Sequence, residues 1–394
     1  MSELHDVYIV HYTRTAFSRS RPNDPAKDAF NDVRMDYALS RLMKRAVTET
    51  SVDPAWLDDV IIGCAYQRDE NWTFGGRHPV FLSNFPTTVP SMAVDRACSS
   101  SLNAMSVGAM EIMTGNSQIV LSGGFEHMTH VPRLSNKLCD VLLSSPEYAA
   151  YRMDIGYHMG LTAEKLAHER GIGRGEMDEY SLRSHMLASR AVENGFLKGE
   201  ITPVHSGTDE NSRVIETDQS IRPDTTLEKL AALKPAFKEG GLITAGNSSP
   251  LNAGASLVML MSGRKVNELG LDPLARVVSF GWASGDPSIM GAMVVPAIRR
   301  ALKSAGIGVD DVDLWEINEA FAVVVINAVR ELGIDMERVN VNGGAISIGH
   351  PLGASGTRLA GTASRMLHSG RREYAVAAVC VGGGQGYSVV LQKA

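Results

Sequence analysis

The stretch His350-Pro-Leu-Gly353-Ala-Ser-Gly356 decides the fold, because the chain carries its layout twice. It opens an apolar helical pattern (Leu359, Ala363, Met366, Leu367) that stops at Ser369-Gly370 and leads into Ala375-Val-Ala-Ala-Val379 and Gly382-Gly-Gly384. Far upstream, Cys98-Ser-Ser-Ser101 opens a second such pattern (Leu102, Met105, Ala109, Met113), which stops at Thr114-Gly115 and leads into Ile119-Val-Leu121 and Gly123-Gly124. Each copy reads as loop, buried helix, glycine stop, buried strand and glycine turn. A further echo lies in Leu57-Asp-Asp-Val-Ile-Ile62 and Val309-Asp-Asp-Val-Asp-Leu314, both acidic caps running into strands. Strands alternating with helices in each copy predict parallel or mixed sheets covered by helices, in two α/β halves related by a pseudo-two-fold.

From about Val131 to Gly240 the pattern changes to polar helices (Ala163 to Glu169, Met177 to Asn194) separated by loops such as Ser206 to Ser220. Strand-like Leu257-Val-Met-Leu-Met261 then resumes the first half. The expected organisation is an α/β half over 1–128 completed by 241–272, an inserted loop domain over 129–240, and a second α/β half over 273–394.

Composition bounds the function. The 394 residues carry 38 Lys+Arg against 44 Asp+Glu, a net charge of −6, with 44% hydrophobic and 21% charged residues. A mildly acidic chain without a basic stripe is a poor nucleic-acid binder, and the mixture is that of a folded protein with a large core. No apolar run approaches the ~20 residues needed to cross a bilayer, so no integral membrane contact is expected. Glu3, His5 and Asp6 ahead of a short apolar stretch fit neither a secretory nor a transit peptide, and Gln392-Lys-Ala394 is no organelle address. The expected location is cytoplasmic. Cys64, Cys98, Cys139 and Cys380 form no CxxC pair, and no metal-ligand spacing, P-loop or GxGxxG turn is present, so neither a metal nor a bound prosthetic group is expected.

Cys98, at a helix start, gains from the helix dipole and free N–H groups, which suits a nucleophile; the plainer alternative is a small buried hydrophobe. His350 holds the corresponding place in the second copy, so a pseudo-two-fold brings it to Cys98, and a cysteine beside a histidine is an activated nucleophile. Cys380 ends a buried strand before Gly382-Gly-Gly-Gln-Gly386, where glycines let N–H groups approach a ligand; alone it reads as a core cysteine, beside the other two as a proton donor and acceptor. Asn318-Glu319 follows the strand-like Leu314-Trp-Glu-Ile317, where α/β sheets place their sites, or else Asn318 caps a helix. Gly246-Asn-Ser-Ser249 is a small-residue loop able to lie against a flat ligand, and the methionines are core filler or line an acyl channel.

Taken together, CSSSLNAM around Cys98, Gly124-Phe-Glu126-His-Met128, Tyr157-His158-Met159-Gly160, NEAF from Asn318, GGAISIGHPLGASG around His350 and CVGGGQG from Cys380 resemble the thiolase family over nearly the whole chain. The resemblance implies duplicated α/β halves in an α/β/α/β/α layering with an inserted loop domain, and coenzyme A as a substrate with no bound cofactor. It implies Cys98 as the acyl-accepting nucleophile, His350 as its activating base, which also serves the incoming CoA thiol, and Cys380 as the acid/base at the acetyl-CoA carbon. Asn318 with His350 would hold the thioester oxygen through a water, and the N–H groups of Cys98 and Gly382 would form the oxyanion hole. Arg222, Ser249, His158 and Met159 match positions along the CoA and pantetheine site, and Phe321 would pack near the acyl group.

The stretches Gly123 to Pro132, Met159 to Glu164, Ile221 to Thr226 and Pro287 to Gly291 are most similar to degradative 3-ketoacyl-CoA thiolases, above all the β subunit of the bacterial fatty-acid oxidation complex. The chain departs from the family pattern at Ala16-Phe-Ser18, at Val323 and over Pro132 to Asp154, the last bearing on acyl chain length. The alternatives are a short-chain acetoacetyl-CoA thiolase and a non-catalytic CoA- or lipid-binding relative. Expected partners are acyl-CoA and CoA, a second copy in a homodimer or larger assembly, and a hydratase/dehydrogenase α subunit.

Overall fold

The computed structural model describes residues 4–132, 138–206 and 213–394; Glu3 and parts of the loops at 132–154 and 206–220 lie outside the described residues. Its strands are β1 (Val7–Arg14), β2 (Ser18–Arg19), β3 (Asp59–Gly63), β4 (Met92–Val94), β5 (Ile119–His127), β6 (Val204–Ser206), β7 (Arg213–Ile215), β8 (Asn252–Ser262), β9 (Ala275–Ser284), β10 (Leu314–Ile317), β11 (Tyr374–Val381) and β12 (Gln385–Gln392).

All but the antiparallel β6–β7 pair belong to one ten-stranded sheet, ordered β10-β11-β12-β9-β1-β8-β5-β3-β4 with β2 beside β8. The internal repeat is written into its polarity. In the first half β3 runs parallel to β5, β5 antiparallel to β8, and β8 antiparallel to β1. In the second, β10 runs parallel to β11, β11 antiparallel to β12, and β12 antiparallel to β9. The halves meet where β1 and β9 pair antiparallel at Val7↔Val277, Tyr8↔Arg276 and Ile9↔Ala275, an edge-to-edge junction that the sequence pattern does not reveal. β4, the strand before Cys98, is matched in the second half by a single parallel bridge, Trp315↔Val339, ahead of His350.

Strand alternation sorts side chains into three cores. Leu257, Met259 and Met261 of β8 pack with Leu39, Leu42 and Met43 of the Met35–Glu49 helix. Val258 and Leu260 turn the other way and share one core with Ala377, Val379 and Val389, between the Ser100–Met113 and Ser355–His368 helices. On the far side, Val376, Ala378 and Val390 meet the Val294–Ala305 and Ala322–Leu332 helices. Helices, strands, helices, strands, helices therefore follow in five layers. The two central helices touch directly: a Cβ on Gly356 would fall 2.5 Å from the backbone nitrogen of Leu102.

The structure departs from the expected repeat at two places. Gly123-Gly124 is not a turn but the interior of β5, because the glycines serve close approach: a Cβ on Gly124 would lie 2.2 Å from the carbonyl oxygen of Gly353. The matching Gly383 and Gly384, with φ of +81° and +76°, do turn the chain between β11 and β12. His350 does not open its helix, which starts at Ser355; it sits in the preceding loop.

The segment between β5 and β8 carries the Met159–Arg170 and Arg174–Glu193 helices. It is fastened to β1 by Arg14, whose guanidinium is sealed from solvent. Arg14 Nε donates to Glu200 Oε2 at 3.0 Å, and Nη1 and Nη2 donate to Asp218 Oδ1 and Oδ2 at 2.7 and 2.8 Å. Removing one member of such a buried pair strands the other charge, so this clamp fixes where the segment docks.

Candidate active site

Cys98 lies in a tight turn, Ala97–Ser99, that runs straight into the Ser100–Met113 helix. Ala97 has φ of +44°, a left-handed conformation that costs a non-glycine residue about 1–3 kcal/mol. Side chains hold it there. Asp95 Oδ1 accepts from Ala97 N at 2.7 Å, and the Ser100 hydroxyl donates to the Ala97 carbonyl at 2.7 Å while accepting from Arg96 N at 2.9 Å. The strain presents Cys98, 8% exposed, at the foot of the central helix.

His350 is held through its backbone nitrogen and both ring nitrogens. Its N–H donates to Asn252 Oδ1 at 2.7 Å, Nδ1 lies 2.6 Å from Ser355 Oγ, and Nε2 lies 3.3 Å from Asn318 Nδ2. The Ser355 hydroxyl donates its hydrogen to the Pro351 carbonyl at 2.8 Å, so it accepts from Nδ1–H and the network assigns the lone pair to Nε2. Burial first, and the positive charge of Arg358 second, pull the imidazole pKa down to about 3, so the ring is neutral. Gly349 is obligatory here: its φ is +125°, and a Cβ would lie 2.7 Å from the Asn252 amide nitrogen.

Asn318 is not a helix cap. The next helix starts at Ala322, while Asn318 N donates to Ala378 O at 2.9 Å and its side chain turns to His350. Its Oδ1 is buried with no partner among the described residues, an acceptor left over for a water or a substrate atom. Its neighbour Glu319 does a different job. The Glu319 carboxylate accepts from Tyr180 at 2.7 Å, Ser184 at 2.7 Å, Asn340 at 2.9 Å and Ile346 N at 3.0 Å, tying the loop that carries His350 to the Arg174–Glu193 helix. Glu126 braces the same loop from β5, accepting from Gly353 N at 3.0 Å and Ala65 N at 2.9 Å.

Cys380, fully buried at the end of β11, has its thiol pushed up, by burial first and then by the neighbouring Cys98. The Met159 sulfur stands 3.7 Å from where a side chain on Gly382 would begin. The Gly246–Ser249 loop docks on the strand exit, with Ser249 N donating to Ala320 O at 3.0 Å and Ser248 bridging to Phe321. Phe321 packs edge-on against Phe237, ring centroids 5.9 Å apart. Arg222 lines a cleft of about 340 Å³ with His185, Gly246, Pro250 and Ile346. Thus the structure draws together Cys98 with Cys380, His350 with Asn318, and Met159 with Gly382. It leaves His158 exposed, its ring without a hydrogen bond among the described residues.

One grouping that ligand spacing did not show is Glu70, His127 and His130, whose donor atoms lie within 4.8 Å of one another. The two rings stack parallel at 3.8 Å and 10°, so their in-plane lone pairs do not converge. His130 is engaged by Glu70 at 2.7 Å and Asn31 at 3.3 Å, and His127 Nε2 by the Phe30 carbonyl at 3.2 Å. This is a packed polar cluster rather than a chelate.

Residues 7–264 match the family model of the thiolase N-terminal domain, and residues 271–393 that of the thiolase C-terminal domain. The chain belongs to the thiolase family. Among curated relatives, 3-ketoacyl-CoA thiolases of Marinobacter nauticus and Saccharophagus degradans are each 40% identical, covering 98% of both chains. Among solved structures, this thiolase superposes on the Bacillus anthracis acetyl-CoA acetyltransferase with a TM-score of 0.89 at 35% identity. On human mitochondrial 3-ketoacyl-CoA thiolase the TM-score is 0.87 at 34% identity, and both alignments cover 100% of each chain. No helix among the described residues is long and apolar enough to cross a membrane.

Proposed function

We propose that this thiolase cleaves 3-ketoacyl-CoA with CoA, giving acetyl-CoA and a shortened acyl-CoA in fatty-acid β-oxidation. The observation that carries the chemistry is the neutral His350, its Nδ1–H committed to Ser355 and its Nε2 lone pair set beside Asn318. Cys98 gives its proton to Nε2 and its sulfur attacks the 3-keto carbon, with the N–H groups of Cys98 and Gly382 meeting the developing oxyanion. The C2–C3 bond then breaks with its electron pair moving into the acetyl-CoA enolate, whose oxygen is met by His350 and a water on Asn318. The Cys380 thiol protonates C2, acetyl-CoA leaves, and the acyl group stays on Cys98.

Burial disfavours both the His350 imidazolium and the Cys380 thiolate, so the proton returns from the first to the second. Neutral His350 next takes the proton of the incoming CoA thiol, whose sulfur attacks the acyl carbonyl. The departing Cys98 sulfur recovers that proton from His350, closing the cycle.

Arg222, Ser249, His158 and Met159 form the CoA and pantetheine walls in this reading, with Phe321 and Phe237 beside the acyl end. The chain divides at 128, 240 and 272 into two α/β halves and a loop domain, a division supported by the repeated strand polarity. A cytoplasmic homodimer or larger assembly, joined by a hydratase/dehydrogenase subunit, completes the proposal; no resident metal or prosthetic group takes part.

The test is CoA-dependent thiolysis of 3-ketoacyl-CoAs from short to long chain, beside Cys98→Ser. Turnover extending to medium and long chains supports the degradative assignment. Turnover confined to acetoacetyl-CoA transfers the protein to the short-chain branch, the activity named for its Bacillus anthracis structural neighbour.

A further inference from the structure

The cleft that holds Arg222 contains more positive charge than the protein itself neutralises. Arg19, Arg222 and Lys229 line it, with Asp224 as the one carboxylate among the lining residues. Lys229 is already committed: its Nζ donates to Asp224 O at 2.6 Å and Asp224 Oδ2 at 2.7 Å. Neither Arg19 nor Arg222 makes an ion pair among the described residues. Asp218, four residues before Arg222, is consumed by Arg14 and by Phe17 N at 2.8 Å. Arg19 is half-buried, and burial first, then repulsion from Arg21 and Arg222, pull its pKa down to about 10. Holding the half-buried Arg19 guanidinium unpaired beside the exposed Arg222 destabilises the free protein, and an anion between them reverses that cost.

The two arginines stand on different parts of the fold. Arg19 belongs to β2 and pairs in register with Asn252, whose amide holds the His350 backbone, so its position is fixed relative to the catalytic loop. Arg222 comes from the segment between β5 and β8, where its N–H donates to His185 Nδ1 at 3.2 Å. Ile346, just ahead of His350, and Gly246 and Pro250, on either side of Ser249, complete the same cleft. A ligand lying in it touches the rim of the catalytic loops at one place and meets two free guanidinium groups at another.

We propose that Arg19 joins Arg222, already assigned to the CoA wall, at the phosphates of the 3′-phospho-ADP end of CoA, and that Arg19 is the residue by which this enzyme distinguishes CoA from pantetheine. The inference rests on the thiolase reading above and adds to it a phosphate contact from the first α/β half. Guanidinium groups suit this task because their planar fork meets phosphate oxygens in pairs.

The experiment compares CoA with pantetheine as the acyl acceptor in wild type, Arg19→Met and Arg19→Lys, and titrates 3′,5′-ADP into each by calorimetry. Loss of one charge-assisted phosphate contact corresponds to about tenfold. Arg19→Met is therefore expected to lower the ratio of kcat/KM for CoA to that for pantetheine about tenfold and to weaken 3′,5′-ADP binding by a similar factor, while Arg19→Lys keeps most of both. A ratio and an affinity unmoved in Arg19→Met overturn the clamp. Wild-type protein that binds 3′,5′-ADP more tightly than Arg19→Met yet turns over neither thiol upholds the clamp and overturns the thiolase reading.

Discussion

Ser355→Ala isolates the step on which the proposed chemistry depends, the placing of a basic lone pair at His350 Nε2. Ser355 Oγ lies 2.6 Å from Nδ1, and both residues are sealed, His350 at 4% exposure and Ser355 at 1%. Removing the hydroxyl leaves a buried N–H without an acceptor, a penalty of about 1–3 kcal/mol. That penalty falls on one tautomer only. The other is helped by Asn318, whose unpartnered Oδ1 can accept from Nε2–H once the amide turns over. Since about 1.4 kcal/mol is tenfold, the fraction of His350 able to take the Cys98 proton falls about ten- to hundredfold. Stopped-flow single-turnover release of acetyl-CoA from a 3-ketoacyl-CoA, with no free CoA present, reads the step directly. The rate is expected to drop by that factor while the chain stays folded by circular dichroism. A rate within twofold of wild type refutes the tautomer argument.

The remaining predictions concern neighbouring parts of the site. Gly349→Ala sets a methyl against the Asn252 amide at a φ of +125° and should lower the same acylation rate at least tenfold; an unchanged rate removes the case for the Asn252 support. With its folded pKa depressed to about 3, His350 stays neutral and competent as pH falls from 8 to 5, so acylation should show no loss centred near 6.5, and a limb there contradicts the assignment. Cys380→Ser should still accept an acyl group on Cys98 from acyl-CoA yet lose most C–C cleavage, seen by comparing acyl exchange with thiolysis; equal loss of both argues against its role at C2. Glu126→Gln turns an amide N–H₂ toward one pair of donors, either Ala65 and Gly353 or Tyr66 and Asn71, and should cost about 2–4 kcal/mol in urea unfolding. A loss under about 0.5 kcal/mol removes its bracing function.

The repeat was legible because each copy buries one helix and one strand on both faces, which forces long apolar runs ended by glycine. Residue type and place then pointed to Cys98, His350, Cys380 and Asn318. What the pattern hid depends on contacts between distant segments. The β1–β9 junction adds no periodicity of its own, and Gly123-Gly124 reads like any glycine pair until the Gly353 carbonyl stands against it. Ala97 gives no sign of its left-handed backbone, though Asp95 and Ser100, which enforce it, are ordinary turn formers. Ser355 and Asn252 orient His350 without reacting, so only the folded arrangement distinguishes them from other small polar residues. Arg14 and Arg19 flank the Ala16-Phe-Ser18 departure from the family pattern, and only the folded arrangement shows Arg14 anchoring the segment between β5 and β8 and Arg19 reaching its cleft.

The proposed chemistry turns on an acyl-enzyme on Cys98 formed by C–C cleavage. Intact-mass spectrometry of the protein mixed with a medium-chain 3-ketoacyl-CoA in the absence of free CoA, with peptide mapping and measurement of acetyl-CoA released, tests it most directly. One shortened acyl group is expected on Cys98 for each acetyl-CoA released, discharged on adding CoA and missing in Cys98→Ala. An adduct on another residue, or acetyl-CoA release that persists in Cys98→Ala, contradicts it.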